Sequence, residues 1–381
     1  YGSRAANGVI LITTKKGKAG TAQISYNDYF GKQKATALPQ FLPSWQAATL
    51  YNEALENEGH ATQYTDAEID SFRTGNSPYN YPNTDWLGLF YSGSGFQQSH
   101  NLNVSGGSDK TQYFFSLGYF DENGIVPKTN TQRYNTRLNI SSKIADHLTV
   151  FANLSYTYQP VMQPQSSYPG VPAFSQMVRQ INRISNMIPY KYANGNYGYI
   201  SDGSPMAWLN SSSFDKNGSN VFIGIAGADW EPIKNLHFRP QIAYTANTVD
   251  DRNFIAAIQY YNSAGAPTMY QQPNNASETY QKTTIFTPQL LVDYSWKLGS
   301  DNHFKVLGGY SQELDDWHEL YGYRQNFLNN DITVINAGST TGQVAKGDAN
   351  QLALRSYFGR FNYDYKERYL FEANLRYDGS S

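Results

Sequence analysis

The sequence predicts an all-β protein, a transmembrane antiparallel β-barrel. Three observations support this prediction: polar and apolar residues alternate along many short segments, the connections between these segments alternate in length, and tyrosine is abundant. The chain has 381 residues, of which 32 are Tyr, 15% are aromatic and 16% are charged. Because an ordinary soluble domain is about 25% charged, this composition fits a wall with lipid on one side.

Composition also excludes several classes of protein. The 29 Lys and Arg residues are dispersed and the formal net charge is -2, so no nucleic-acid surface is predicted. The sequence has no cysteine, which rules out a disulfide framework and a thiolate metal site. No apolar run approaches the roughly 18 residues of a membrane helix, so a membrane would be crossed by strands.

Alternation with a period of two identifies the strands. In segment 133–141, even positions carry Tyr, Thr, Leu and Ile, whereas odd positions carry two Arg, two Asn and a Ser. A sandwich core would not accept such a polar face unpaired, so a polar lumen is predicted. Eleven strands are expected, at 22–32, 97–106, 111–121, 133–144, 148–158, 220–230, 235–248, 284–297, 302–313, 353–365 and 368–378.

The connections between these strands alternate between tight and long. The tight ones are 106–110, 145–147, 231–235, 299–301 and 366–367, and the long ones are 33–96, 159–219, 249–283 and 314–352, with 122–132 of intermediate length. This order is typical of a barrel with periplasmic turns on one rim and extracellular loops on the other. A tyrosine-rich soluble β protein is the alternative, and it leaves the loop alternation unexplained.

The first long loop is predicted to carry two helices. Ser44 is placed to cap a helix that ends by Gly59, and Thr65 with Glu68 forms a capping box that opens a second helix towards Gly75. This loop is therefore expected to be ordered.

Three passages resemble the SusC/RagA-type TonB-dependent transporters of Bacteroidota. The segment from Tyr1 to Gly17, YGSRAANGVILITTKKG, looks like the end of that family's plug domain. The passage with NTDW at 83–86, GGSDK at 106–110 and DENGI at 121–125 is similar to the first barrel hairpins. SYFGR at 356–360 and RYDGSS at 376–381 look like a mid-barrel segment.

The resemblance implies a 22-stranded barrel in the outer membrane, closed by an N-terminal plug. Residues 1–18 would then be the end of the plug domain with its linker, and residues 19–381 about the first half of the barrel, so the chain is interpreted as a fragment. The resemblance further implies TonB-dependent import of an oligosaccharide or peptide. The expected partners are a SusD-like surface lipoprotein, outer-membrane lipid and the TonB-ExbB-ExbD complex, the last acting through regions not in this chain. A surface receptor or adhesin barrel without active transport is the alternative.

No catalytic site, cofactor or metal site is predicted. The six histidines are scattered without metal-ligand spacing, and no nucleophile elbow or phosphate-binding loop is present. The acidic pairs 250–251 and 315–316 allow calcium ligands or paired carboxylates, but a solvated loop face is the favoured interpretation. The chain is therefore not expected to be an enzyme.

The candidate substrate-binding residues are aromatic side chains in one long loop, interleaved with amides and carboxylates that suit a sugar or peptide. These residues are Tyr190, Tyr192, Tyr197, Tyr199 and Trp208. Packing of this loop against the plug or lid is at least as strong an interpretation. Four arginines, Arg133, Arg137, Arg360 and Arg376, are predicted to face the lumen, either guiding solute or forming salt bridges to the plug.

Overall fold

The computed structural model describes residues 14–168, 173–271 and 273–381. Its main element is an antiparallel sheet of eleven strands, as predicted, and a separate hairpin of two strands lies in a loop. The strands are β1 (Gly20–Lys32), β2 (Phe96–Gly107), β3 (Thr111–Asn123), β4 (Asn130–Ala145), β5 (Leu148–Pro164), β6 (Phe214–Ile233), β7 (Leu236–Ile255), β8 (Ile258–Tyr261), β9 (Pro267–Gln271), β10 (Asn275–Leu298), β11 (Asn302–Gln325), β12 (Ser339–Tyr365) and β13 (Tyr369–Ser380). The predicted end of the plug domain lies outside the described residues, except for 14–18.

Each strand of the large sheet pairs with the next one along the chain, and β7 pairs with β10 because the hairpin β8–β9 stands apart. The connections alternate between tight turns and longer loops, as predicted. We call the edge with the tight turns the turn rim and the opposite edge the loop rim. This meander is the wall of an up-and-down barrel, in which consecutive strands are neighbours.

Strands β5–β7 and β10–β12 extend further towards the loop rim than the sequence predicts. The predicted loops 159–219, 249–283 and 314–352 are therefore wrong in extent, since the structure has loops at 165–213, 256–274 and 326–338. The first predicted loop, 33–96, agrees to within one residue. Polar residues occur on both faces of the extensions, so no regular apolar alternation marks them. Backbone pairing to neighbouring strands holds them, together with a small apolar core of Phe254, Ala276 and Phe327 at the loop-rim end.

The outer face of the sheet carries two aromatic girdles. The turn-rim girdle consists of Trp230, Phe238, Tyr294, Trp296, Phe304 and Tyr363, with neighbouring rings 4.8 to 5.6 Å apart. The loop-rim girdle includes Tyr26, His100, Tyr119, Tyr134 and Tyr158, with neighbouring rings 5.1 to 6.2 Å apart. Exposed apolar side chains such as Leu154, Ile242 and Leu290 lie between them. Such a band between two girdles is the lipid-facing surface of a transmembrane barrel.

The loops pack on one another around their own apolar core. This core contains Trp86, Phe90, Met177, Ile181 and Trp208, contributed by the first two long loops. The helices in these loops are α1 (Ser44–Asn57), α2 (Asp66–Thr74), α3 (Trp86–Phe90), α4 (Phe174–Ile181) and α5 (Pro205–Asn210). Among the described residues, no helix is long and apolar enough to cross a membrane.

The two helices predicted in the first loop are present. The capping box of Thr65 and Glu68 is formed as predicted, and α2 ends at a left-handed Gly75. The predicted cap at Ser44 is wrong: Pro43 precedes the first turn, and Ser44 is its first helical residue. Its hydroxyl is buried without a hydrogen-bond partner among the described residues.

Candidate functional site

The linker that precedes β1 lies against one face of the sheet, which we call the inner face. The side-chain amide of Asn139 on β4 donates a hydrogen bond of 2.6 Å to the carbonyl oxygen of Lys15. A Cβ at Gly17 would come within 2.5 Å of the backbone of Tyr113, so the linker approaches β3 closely. Lys16, Asn139, Asn153 and further wall residues line a recess of about 530 Å³ here.

The strand register places all four predicted arginines on this inner face. Arg137 and Arg133 lie two and six positions before Asn139 on β4, so their side chains point to the same face as that of Asn139. Pairing across the sheet places Arg360 and Arg376 on this face as well. Three of them contact wall residues. Arg133 lies 5.4 Å from the ring of Phe120, Arg360 donates to Asn374 and Arg376 donates to Asp378. That they face a lumen remains a prediction.

A network of charged side chains crosses four strands on the inner face near the turn rim. Asp229 accepts one hydrogen bond of 3.1 Å from Arg239 and pairs with His237 at 2.7 Å. Arg239 also bonds Asp293, whose second carboxylate oxygen lies 3.5 Å from the ammonium of Lys305. Because Asp293 is 3% exposed, its charge depends on these two cations for stabilisation.

The predicted loop aromatics come together, but not all of them present a free surface. Trp208 is fully buried in the loop core, and its indole N–H donates a hydrogen bond of 3.1 Å to the side-chain oxygen of Gln271. The prediction that Trp208 binds substrate is corrected on this point, since a ring without exposed surface is part of the packing. Tyr199 packs edge-on to the buried Tyr260 at 5.3 Å.

Tyr190 and Tyr197 form a partly exposed cluster with Asn210 and Lys191. The two hydroxyl oxygens are 3.4 Å apart, and the amide of Asn210 donates 2.9 Å to Tyr197. The ammonium of Lys191 lies over both rings, at 5.4 and 4.7 Å from their centroids. Burial and the neighbouring Tyr190 raise the pKa of Tyr197, so its hydroxyl stays protonated at neutral pH. Together with Tyr192, these residues remain candidates for ligand contact.

The acidic pairs do not form paired carboxylates. Each pair lies in a strand and not in a loop, so Asp250 and Asp316 point to the outer face while Asp251 and Asp315 point to the inner face. Within the described ranges, no group of three metal-ligating side chains is placed to hold a metal ion. The pairs therefore act as separate charges on opposite faces.

The structure brings together inner-face residues that sequence reasoning assigned to a loop. Alternate positions of β11 carry Trp317, Glu319, Tyr321 and Tyr323 on the inner face, in the part of the strand nearest the loop rim. We call these four residues the β11 column. The signal in the sequence is the alternation W-x-E-x-Y-x-Y, whose partner face (His, Leu, Gly) has no uniform character and so does not mark a strand.

Comparison with known proteins agrees with this architecture. No family model matches the chain. Over its whole length it is 26% identical to TonB-dependent receptor P26 of Formosa agariphila and 27% identical to TonB-dependent receptor SusC of Bacteroides thetaiotaomicron, and it covers 37% of each. In fold it is similar to the RagAB peptide transporter, with a TM-score of 0.79 at 20% identity, over the whole chain and 45% of that structure.

The eleven-stranded meander, the two girdles and the polar inner face define the wall of a transmembrane antiparallel β-barrel. The predicted resemblance to SusC/RagA-type TonB-dependent transporters is confirmed by the relatives and by the fold of RagAB. The chain spans a little over a third of the length of these curated relatives.

Proposed function

We propose that this chain is part of an importer in the bacterial outer membrane, which takes up an oligosaccharide or peptide by TonB-dependent active transport. The chain supplies barrel wall and solute-facing loops. Energy comes from the TonB-ExbB-ExbD complex, acting on regions outside this chain. A SusD-like surface lipoprotein is the partner at the loop rim, which faces the outside of the cell.

The observation that carries the proposal is the attachment of the linker to the inner face. The contact between Lys15 and Asn139 directs the chain that precedes β1 along the inside of the wall. A plug reached through this linker would lie within the barrel, as active transport requires. A receptor or adhesin barrel does not need such a tether, so the contact favours import over the alternative.

Exposed apolar residues at the loop rim support a protein partner. Phe41 and Leu42 in the first loop and Tyr270 in β9 are about half exposed, and Leu328 is 93% exposed. Phe41 and Leu42 are adjacent in the chain, and adjacent exposed apolar side chains on a loop can form an interaction surface. Among the relatives, RagAB is described as a peptide importer, which supports a peptide as one of the two substrate classes.

The test is deletion of the gene followed by uptake measurements with labelled oligosaccharides and peptides at limiting concentration. We expect one class of solute to lose uptake, and complementation with the full-length gene to restore it. In wild-type cells a protonophore should stop that uptake while leaving surface binding intact. Unchanged uptake of every solute, together with lost attachment to surfaces, would instead establish the adhesin alternative.

A further inference from the structure

The β11 column belongs to the part of the wall nearest the loop rim. There β11 is paired on both sides, with β10 and with β12, so its inner side chains are held by continuous backbone hydrogen bonding. Trp317, Glu319, Tyr321 and Tyr323 are each partly exposed. The column is therefore an accessible surface on a rigid support.

The surroundings of the column are rich in carboxylates. Asp315 occupies the next inner position of β11, and Asp348 of β12 lies directly opposite Glu319. On the other side, the amide of Gln281 donates 2.8 Å to Glu319, which fixes the orientation of that carboxylate. Lys282 of β10, with Arg252 of β7 and Lys216 of β6 further along the sheet, projects from the outer face. Lys346 of β12, which pairs with Tyr321, is a cation on the inner face. The inner face near the column thus has an excess of negative charge.

Aromatic rings beside carboxylates favour cations, because the ring face and the carboxylate both attract positive charge. One such contact is present at the column itself. The ammonium of Lys346, on β12, lies 4.8 Å from the centroid of Tyr321. A ligand ammonium or guanidinium group would meet the same chemistry at Trp317 and Tyr323.

The spacing of the column favours a peptide over a sugar chain. Side chains on one face of a strand repeat every two residues, about 6.6 Å apart, and an extended peptide has the same repeat. A peptide lying along β11 would therefore present every second side chain to successive members of the column. Repeated contacts of this kind select a ligand with basic residues at alternate positions.

We infer that the β11 column is a binding strip for an extended basic peptide. This inference rests on the proposed function for its biological setting, because the strip would receive a peptide before it enters the barrel. The inference specifies the substrate as a basic peptide, from the negative charge near the column and the spacing of its side chains. A neutral or acidic peptide would lack the paired cation–ring and cation–carboxylate contacts.

The test is equilibrium binding to the purified full-length protein, with its co-purifying partner, in detergent. The probes are a fluorescent peptide of alternating Lys and Gly, a peptide of alternating Glu and Gly, and a chitosan oligomer as an amine-bearing sugar. We expect the basic peptide to bind at least tenfold more tightly than the acidic one, with the chitosan oligomer weaker than the basic peptide. Glu319→Gln and Trp317→Ala should each weaken binding of the basic peptide about tenfold.

The matched control is Asp316→Asn, which removes one negative charge from the outer face of the same strand. It should change the affinity less than twofold, and every variant should show the heat-modifiable gel migration of a folded barrel. Equal affinity for basic and acidic peptides, preference for the chitosan oligomer, or an Asp316→Asn effect equal to that of Glu319→Gln would overturn the inference. Peptide binding without any uptake would count against the proposed function alone, whereas uptake of basic peptides unaffected by Glu319→Gln would count against the inference alone.

Discussion

Asn139 and Lys15, 124 residues apart in the chain, are joined by a hydrogen bond of 2.6 Å from the side-chain amide to the backbone carbonyl. Asn139 is 5% exposed, so this contact is shielded from solvent. The bond connects the linker to the fourth strand of the wall. It therefore couples the segment before the barrel to the inner face.

The first prediction concerns this contact. Asn139→Ala removes the donor, and a net loss of about 1 kcal/mol corresponds to a roughly fivefold larger population of the detached linker. Hydrogen exchange at residues 14–18 of the purified full-length protein should increase by about that factor. Asn135→Ala, on the same face of β4 four residues away, is the control and should leave exchange at the linker unchanged. Equal effects of the two variants would show that the contact does not hold the linker.

The second prediction concerns the buried carboxylate of Asp293. Arg239→Met leaves this charge with Lys305 as its remaining ionic partner, so we expect a loss of about 3 kcal/mol of stability. Heat-modifiable gel migration measures the unfolding temperature. Adding Asp293→Asn should recover much of the loss, because it removes the charge that Arg239 stabilises.

The control for this prediction is Arg360→Met. Arg360 is half exposed and contacts Glu372 at 3.9 Å, so its removal should cost less than about 1 kcal/mol. Equal destabilisation by Arg239→Met and Arg360→Met would contradict the conclusion that the burial of Asp293 makes its contact with Arg239 more stabilising than an exposed ion pair.

The third prediction concerns pH. Burial and the neighbouring carboxylate of Asp215 raise the pKa of Asp251 to about 6. Because this value lies above the roughly 3.9 of an unfolded chain, the protonated form favours the fold below about pH 4, and that contribution is lost as pH rises through 6. Asp251→Asn should therefore raise stability at pH 7 by roughly 1–2 kcal/mol and have little effect at pH 4.

Unfolding temperatures at pH 4, 5.5 and 7 provide the measurement for Asp251→Asn. The control is Asp109→Asn, at an exposed turn residue, which should change the unfolding temperature only slightly and by the same amount at each pH. If the stability of Asp251→Asn fell with rising pH as steeply as that of the wild type, Asp251 would not be the source of the pH dependence.

The fourth prediction concerns the loops. The indole nitrogen of Trp86 donates 3.0 Å to the carbonyl of Ser185, and its ring is buried between the first and second long loops. Trp86→Ala should cost about 3–5 kcal/mol locally and increase hydrogen exchange in 173–213 as well as in the first loop. Exchange in the barrel strands should not change. Leu50→Ala, at a half-exposed position of α1, is the control and should leave exchange in the second long loop unchanged. If faster exchange in Trp86→Ala were confined to the first loop, the two loops would not be coupled through Trp86.

The sequence predicts the wall well where lipid imposes alternation. Leu154 and Ile242 point to the outer face as the period-two pattern requires, and all eleven strands are found. Towards the loop rim neither face is uniformly apolar, so the stretch that contains Trp317 and Tyr321 carries no simple apolar alternation. Backbone pairing to residues distant in the chain determines the structure of this stretch, and such pairing cannot be predicted from local composition.

The candidate site shows a similar division. Local sequence correctly groups Tyr190 with Tyr197, because they are separated by a short turn. It does not reveal that Trp208 is buried, since Gln271, its hydrogen-bond acceptor, is 63 residues away. Burial by residues from another loop is a long-range property, and only the folded arrangement distinguishes a packing ring from a ligand-binding one.

The extension of β10–β12 past the membrane band has a consequence for how such a wall can change over evolution. Neighbouring strands are joined through their backbones, so exchanging a side chain at an inner position leaves the ladder intact. Substitutions at every second residue can therefore change the chemistry of the inner face, while the intervening residues keep their own surroundings. A wall built in this way can vary its inner surface without the insertions and deletions by which loops change.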